Sequence, residues 1–154
     1  MHFTATFRVT KPAQAVLDYA ADFRNLPQWD PSIVDVQMLS DEPVELGSQF
    51  SVTLKFLGFD SVMKYEVVEW TPGKRAVLRG TTPVATAIDT ITVSTTDKTT
   101  TVTWALTIHF VFPISLFDLA FAALFRSTAM DAVRGLQRVL RNLRTSTRSA
   151  TATS

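Results

Sequence analysis

The fold is decided by residues 115–143, which read SLFDLAFAALFRSTAMDAVRGLQRVLRNL. We predict one long helix here, because Ser115 is a suitable N-cap and Asp118 follows near the positive end of the helix dipole. The first half is apolar on nearly all sides, which is typical of an enclosed helix. The second half carries an apolar stripe with the spacing of one helical face. The stripe consists of Ala129, Val133, Leu136, Leu140 and Leu143.

The chain before this helix alternates apolar and polar residues, as half-buried strands do. His2–Val9 is the first predicted strand and Val34–Met38 is the second. Between them we predict a helix with Pro12 in its first turn and a short second helix over Asp22–Trp29 that is stopped at Pro27. Five more strands follow. They are separated by turns predicted at Leu57–Asp60, Pro72-Gly73, Thr82-Pro83 and Asp97-Lys98. The prediction is a seven-stranded antiparallel sheet, wrapped around the long helix in an α+β fold.

The predicted turns fix a register for these strands. Centring the first hairpin on its turn places Leu54 opposite Met63, and centring the last places Asp89 opposite Leu106. Opposite residues share a face, so one apolar face continues across all five strands. In this register Trp70 lies on the outer face.

Composition excludes several classes of function. The 154 residues carry a formal net charge of +1, so no global basic field indicates nucleic acid as a partner. The absence of cysteine excludes disulfides and thiol catalysis, and it suits a reducing compartment. We find no signal peptide, and the apolar run at residues 116–125 is too short to span a bilayer. These features predict a cytoplasmic protein that does not insert stably into membranes.

Charge is unevenly distributed near the C-terminus. From Arg126 onward there are six arginines and one acidic residue, Asp131. A solvated helix face with a basic tail explains this pattern, and the alternative is contact with an acidic partner or transient contact with an anionic membrane. We predict one domain over residues 1–144 and a disordered tail over residues 145–154.

The order of elements and several short motifs resemble the helix-grip superfamily. That superfamily includes birch pollen allergen, START domains and the bacterial polyketide cyclase/dehydrase-like group, which is the most similar. The most specific segment is DFRNLPQWDP at residues 22–31. Further matches are Pro12-Ala13 with Val16 and Tyr19, LGSQF at residues 46–50, Tyr65-Glu66-Val67, TTTVTW at residues 99–104, and Gly135-Leu136. The resemblance implies a helix-grip fold that binds hydrophobic ligands. Some members are cyclases, dehydratases or hydrolases.

The residues themselves offer little conventional catalytic chemistry. The two histidines, His2 and His109, lie far apart in sequence and on the predicted solvent face, so we predict no metal site. There is no Gly-x-Ser-x-Gly turn and no phosphate-binding loop, and we predict no cofactor.

Acid–base chemistry remains open at three residues of the predicted concave face. Asp89 is placed among apolar neighbours, where desolvation raises a carboxyl pKa. Tyr65 is its expected partner, and Glu69 lies near a strand end. Asp89 is therefore a buried polar group with one partner, a contact for the polar end of a ligand, or a catalytic acid. We select no catalytic residue, with Asp89 as the weak candidate.

A ligand is expected between the sheet and the long helix. It would enter between the turn at Leu57–Asp60 and the first half of the helix. The predicted lining is Val52, Leu54, Met63, Tyr65, Ala87, Asp89, Trp104, Leu106, Phe121, Phe125 and Met130. Gly135, inside the helix, is interpreted as a close approach to a strand.

Three functions are compatible with this sequence. The first is binding or transport of a hydrophobic small molecule, such as a lipid, polyketide or isoprenoid-like compound, by a monomer or homodimer without catalysis. The second is a polyketide cyclase or dehydratase that uses Asp89 as acid or base. The third is a partner-binding regulatory module with a filled core, which would use an outer surface near Trp70 and the arginine-rich face of the long helix. Apolar side chains alone do not distinguish a cavity from a filled core.

Overall fold

The computed structural model describes residues 1–56, 58–111 and 118–143. Within them the chain forms seven strands, two helices after the first strand and a long C-terminal helix. The strands are β1 (His2–Val9), β2 (Ile33–Met38), β3 (Gln49–Phe56), β4 (Phe59–Thr71), β5 (Arg75–Thr81), β6 (Ala85–Thr96) and β7 (Thr99–Phe110). The helices are α1 (Ala13–Ala21), α2 (Leu26–Trp29) and α3 (Asp118–Arg141), with a 3-10 turn at Phe23–Asn25.

The strands form one antiparallel sheet in the order β1-β7-β6-β5-β4-β3-β2. Strands β3 to β7 are a meander, and β1 and β2 lie at its two edges. The buried residues of the sheet alternate with exposed ones and face the helices. The predicted fold class, a seven-stranded antiparallel sheet with a long C-terminal helix, is confirmed.

Helix α3 buries the predicted apolar stripe. Ala129, Val133, Leu136 and Leu140 are all buried in the core. The helix ends at Arg141, two residues before the predicted end at Leu143. The predicted cap at Ser115 and the start of the helix before Asp118 lie outside the described residues.

The short helices differ from the prediction around Pro27. Instead of ending a helix that begins at Asp22, Pro27 lies in the first turn of α2, where its missing N–H group costs no hydrogen bond. The Asp22 side chain accepts a hydrogen bond from the Arg24 N–H at 3.1 Å and caps the 3-10 turn. The chain therefore reaches Trp29 through two short helical segments.

Helix α2 explains the glycine inside α3. A Cβ atom at Gly135 would lie 1.9 Å from the carbonyl oxygen of Trp29. The predicted close approach is therefore real, but its partner is α2 and not a strand.

The register is correct in one hairpin and shifted in another. Asp89 pairs with Leu106, as predicted for β6 and β7. In the hairpin of β3 and β4, Leu54 pairs with Ser61 and not with Met63. The shift is two residues, an even number, so every side chain stays on the predicted face.

A β-bulge between Val67 and Glu69 overturns two predictions for β4. Glu69 leaves the concave face, is exposed, and accepts a hydrogen bond from Arg75 at 3.0 Å. Trp70 pairs with the buried Ala76 and packs, partly buried, against the core instead of lying on the outer face. An inserted residue reverses the alternation of every position that follows it.

Candidate functional site

A cavity of about 260 Å³ lies between the concave face of the sheet and the first half of α3. It is bounded by strands β2, β3, β4, β6 and β7, by the 3-10 turn, by α2 and the segment after it, and by α3. Its walls are mostly apolar, as in small-molecule binding sites. The residues from the helical side are Phe23, Leu26, Asp30, Phe121, Phe125, Thr128 and Ala129.

The predicted lining residues converge on this cavity with one exception. Met130 packs, partly buried, against the core and does not line the cavity. The neighbouring residue Ala129 takes its place, since one helical step rotates a side chain by about 100°. The predicted residues that do line the cavity are Val52, Leu54, Met63, Tyr65, Ala87, Asp89, Trp104, Leu106, Phe121 and Phe125.

Small residues on the sheet make room for the cavity. Ala85 and Ala87 line it on β6. Gly80, on the neighbouring strand, pairs with Ala87 and Tyr65, and a Cβ atom there would lie 2.6 Å from Cζ of Tyr65. The absent side chain of Gly80 therefore lets the Tyr65 ring lie flat across the sheet.

Asp89 projects from the middle of β6 into the cavity and is 4% exposed. Its Oδ1 atom accepts a hydrogen bond from Nε1 of Trp104 at 2.9 Å. Its Oδ2 atom is buried and has no hydrogen-bond partner among the described residues. An unpartnered buried carboxyl oxygen is costly, so it marks a position where a ligand atom would be stabilised.

The environment of Asp89 and Tyr65 raises the pKa of both side chains. Burial raises the Asp89 pKa from 3.8 to about 6, despite the opposing effects of hydrogen bonding from Trp104 and from the Tyr65 hydroxyl. Burial also raises the pKa of Tyr65, and the nearby Asp89 carboxyl raises it further. The predicted neighbours Asp89 and Tyr65 thus interact, and the Trp104 indole adds a hydrogen bond at 2.9 Å.

A second carboxyl was missed by sequence reasoning. Asp30 lines the cavity, and its Oδ1 atom accepts hydrogen bonds from the N–H and hydroxyl of Ser32, at 2.9 and 2.6 Å. Burial raises the Asp30 pKa, and its negative charge contributes to raising that of Asp89. Asp30-Pro31 is a typical turn sequence, so the sequence pattern gives no sign that Asp30 faces a cavity.

The cavity reaches the surface at one end of the sheet. Lys55 and Ser61, which flank the β3–β4 hairpin, line it there, as do Thr82, Val84 and Phe110. From α3, Phe121 stacks edge-on against Phe110 with ring centroids 5.6 Å apart. The opening therefore includes both borders of the predicted entrance, although Leu57 itself lies outside the described residues.

Residues 1–146 match the family described as polyketide cyclase / dehydrase and lipid transport. The match covers nearly the whole chain. The chain belongs to this family. The predicted resemblance to the helix-grip superfamily is therefore confirmed. No curated protein sequence matches the chain.

Solved structures show the same fold. A protein from Thermus thermophilus has a TM-score of 0.76 at 16% identity, covering 91% of this chain and 97% of its own. An aromatase/cyclase from Streptomyces has a TM-score of 0.73 at 16% identity, covering 94% and 96%. A START superfamily protein from Mycobacterium smegmatis has a TM-score of 0.68 at 15% identity, covering 92% and 94%. At these identities the likeness shows the fold alone.

Other kinds of site find little support in this member of the polyketide cyclase/dehydrase family. His2 is exposed and lies 2.8 Å from the hydroxyls of Thr4 and Thr107. No cluster of metal-ligating side chains occurs in residues 1–56, 58–111 and 118–143. None of the helices described is long and apolar enough to cross a membrane. The cavity is thus the main candidate site.

Proposed function

We propose that the protein binds a hydrophobic small molecule in the cavity between the sheet and α3. One observation carries the proposal: the apolar cavity contains a buried carboxyl whose Oδ2 atom has no partner among the described residues. The apolar walls favour a flat or long apolar body, such as a lipid, polyketide or isoprenoid-like compound. Asp89 and Tyr65 would contact the polar end of that molecule.

The volume of the cavity weighs against a filled core. Protein interiors are normally close-packed, and voids much larger than a water molecule are few. A space of about 260 Å³ beside α3 is therefore better explained by a ligand than by partner binding through the outer surface. Trp70, which was expected on that surface, packs partly buried against the core.

The test is native mass spectrometry of freshly purified protein, compared with the denatured mass. We expect extra mass that is lost on unfolding, and displacement of it by Nile red, a neutral dye that fluoresces in apolar sites. Asp89→Ala and Tyr65→Phe should weaken retention, whereas Asp35→Ala, at an exposed acid on β2, should not. An apo mass together with no dye binding would contradict the proposal.

Catalysis by Asp89 is the second candidate. The supporting observation is the Asp89 pKa of about 6, which lets this carboxyl gain or lose a proton near neutral pH, as general acid–base catalysis requires. An enzyme of this kind would convert a polyketide into a cyclised product, or into a dehydrated product with release of water. Mass spectrometry of the product would test it. Turnover should show a pH dependence that disappears in Asp89→Asn, and unchanged turnover in that variant would exclude the role.

A further inference from the structure

The charges that line the cavity have one sign in its interior. Asp89 and Asp30 are the acids among the described lining residues, and both are partly or fully buried. The basic residue among them is Lys55, which lies at the opening, is 60% exposed and faces Asp60 at 3.8 Å. No basic group among the described lining residues is therefore placed to neutralise a negative ligand deep in the cavity.

Polar groups from several elements line the cavity together with Asp89. Strand β7 supplies the Trp104 indole, which is already engaged with Oδ1. Strand β4 supplies the Tyr65 hydroxyl, a donor whose hydrogen bonding lowers the Asp89 pKa, and the segment after α2 supplies the Asp30 carboxyl, whose charge raises it. Helix α3 contributes Thr128, whose hydroxyl donates to the carbonyl of Leu124 at 3.0 Å. Among the described residues, no donor lies in direct hydrogen-bond geometry with Oδ2 of Asp89.

An acceptor without a donor selects the chemistry of its ligand. A hydroxyl group on the ligand would donate to Oδ2 and remove the cost of leaving that oxygen unpaired. A ligand carboxylate would instead place a second negative charge beside Asp89 and Asp30, in a medium where charges are weakly screened. An ether or hydrocarbon end would leave Oδ2 as it is.

We propose that the cavity selects uncharged apolar compounds whose polar end donates a hydrogen bond, as an alcohol or phenol does. It discriminates against the carboxylate of the same skeleton. The inference rests on the proposed binding function and adds a chemical class to it. Asp89 is the selecting residue, and Asp30 reinforces the exclusion of anions.

Three ligands with one ring system test the selection: a naphthol, its methyl ether and the naphthoate substituted at the same position. Their affinities are measured by displacement of Nile red at pH 8, where Asp89 is ionised. We expect the naphthol to bind roughly tenfold or more tightly than either of the others, as one hydrogen bond to a charged group provides. Equal affinities for naphthol and naphthoate would overturn the inference.

The outcomes separate this inference from the proposed function. If neither Nile red nor any of the three compounds binds, the binding function itself is wrong. If the dye binds but the naphthoate or the ether competes as well as the naphthol, or none of the three competes, binding stands and the selection fails.

Substitution of Asp89 tests the mechanism of selection. Asp89→Asn keeps the size of the side chain and removes its charge, so the preference for naphthol over naphthoate should fall by about tenfold. Asp35→Asn makes the same chemical change at an exposed site and should leave the preference unchanged. An unchanged preference in a folded Asp89→Asn variant would remove Asp89 from the selection. If this variant does not fold, the comparison of ligands on the natural protein decides the inference.

Discussion

The two ends of the concave face differ in how they are filled. At one end, which we call the packed end, α1 covers β5 and β6 with buried side chains. Its residues include Val16, Leu17, Ala76, Ile91 and Val93. At the other end, the cavity end, β6 begins with Ala85 and Ala87 and the sheet faces the first half of α3 across the cavity. One sheet thus carries a close-packed core and a binding cavity.

The difference shows that apolar content does not determine whether space is filled. Both ends are apolar, but only the packed end has a second layer supplied by α1. At the junction of the two ends, α3 touches the backbone of α2 at Gly135. The cavity therefore depends on where the helices make contact and where small residues hold the layers apart.

The largest effect is expected from breaking the helix contact with Gly135→Ala. The added Cβ atom would lie 1.9 Å from the carbonyl oxygen of Trp29, and neither backbone can move without displacing its helix. We expect the free energy of unfolding to fall by roughly 4 kcal/mol, even though alanine favours a helix by about 1 kcal/mol over glycine. Denaturation with urea would measure the loss.

Arg134→Ala is the control for this variant. Arg134 is the preceding residue of α3 and its side chain is 73% exposed, so its removal should change stability by less than about 0.5 kcal/mol. Equal stabilities for Gly135→Ala and the natural protein would mean that α2 and α3 are not in contact.

Much of the fold was predictable because strand alternation and helical periodicity both report burial directly. The stripe along α3 and the pairing of Asp89 with Leu106 needed no further information. The bulge after Val67 was not predictable, because an inserted residue leaves no mark in the apolar pattern. It moved Glu69 and Trp70 to the faces opposite to those expected.

The second expected effect concerns the buried charge at the cavity end. The Asp89 pKa is about 6 in the folded protein and 3.8 as the ordinary value, so the folded state holds this proton more tightly. The contribution of Asp89 to the free energy of unfolding is therefore fully present below pH 3.8 and is lost as the pH rises through 6. The loss is at most about 3 kcal/mol.

Asp89→Asn isolates this contribution because asparagine does not titrate. The variant's stability relative to the natural protein should be more favourable at pH 8 than at pH 4, by up to about 3 kcal/mol. Urea denaturation at a series of pH values gives the difference, and Asp35→Asn serves as the control. A difference that does not change with pH would show that the Asp89 pKa is the same in both states.

The site was less predictable than the fold. Residues on regular strands, such as Tyr65 and Asp89, could be assigned to the concave face by counting. Asp30 could not, because it lies in an irregular segment where no periodicity indicates the direction of a side chain. The hydrogen bond from Trp104 depends on ring orientation, which the sequence pattern does not specify.

The smallest effect is expected when the same substitution, alanine to leucine, is made at both ends of the concave face. Ala76 and Ala87 lie on the concave face, 0% and 1% exposed, but only Ala87 borders the cavity. Ala76→Leu adds volume where none is free and should cost about 1 to 3 kcal/mol. Ala87→Leu places the same atoms in existing space and should change stability by less than about 1 kcal/mol, while it removes Nile red binding. If Ala87→Leu is as destabilising as Ala76→Leu and leaves dye binding intact, the two ends are packed alike and the dye binds elsewhere.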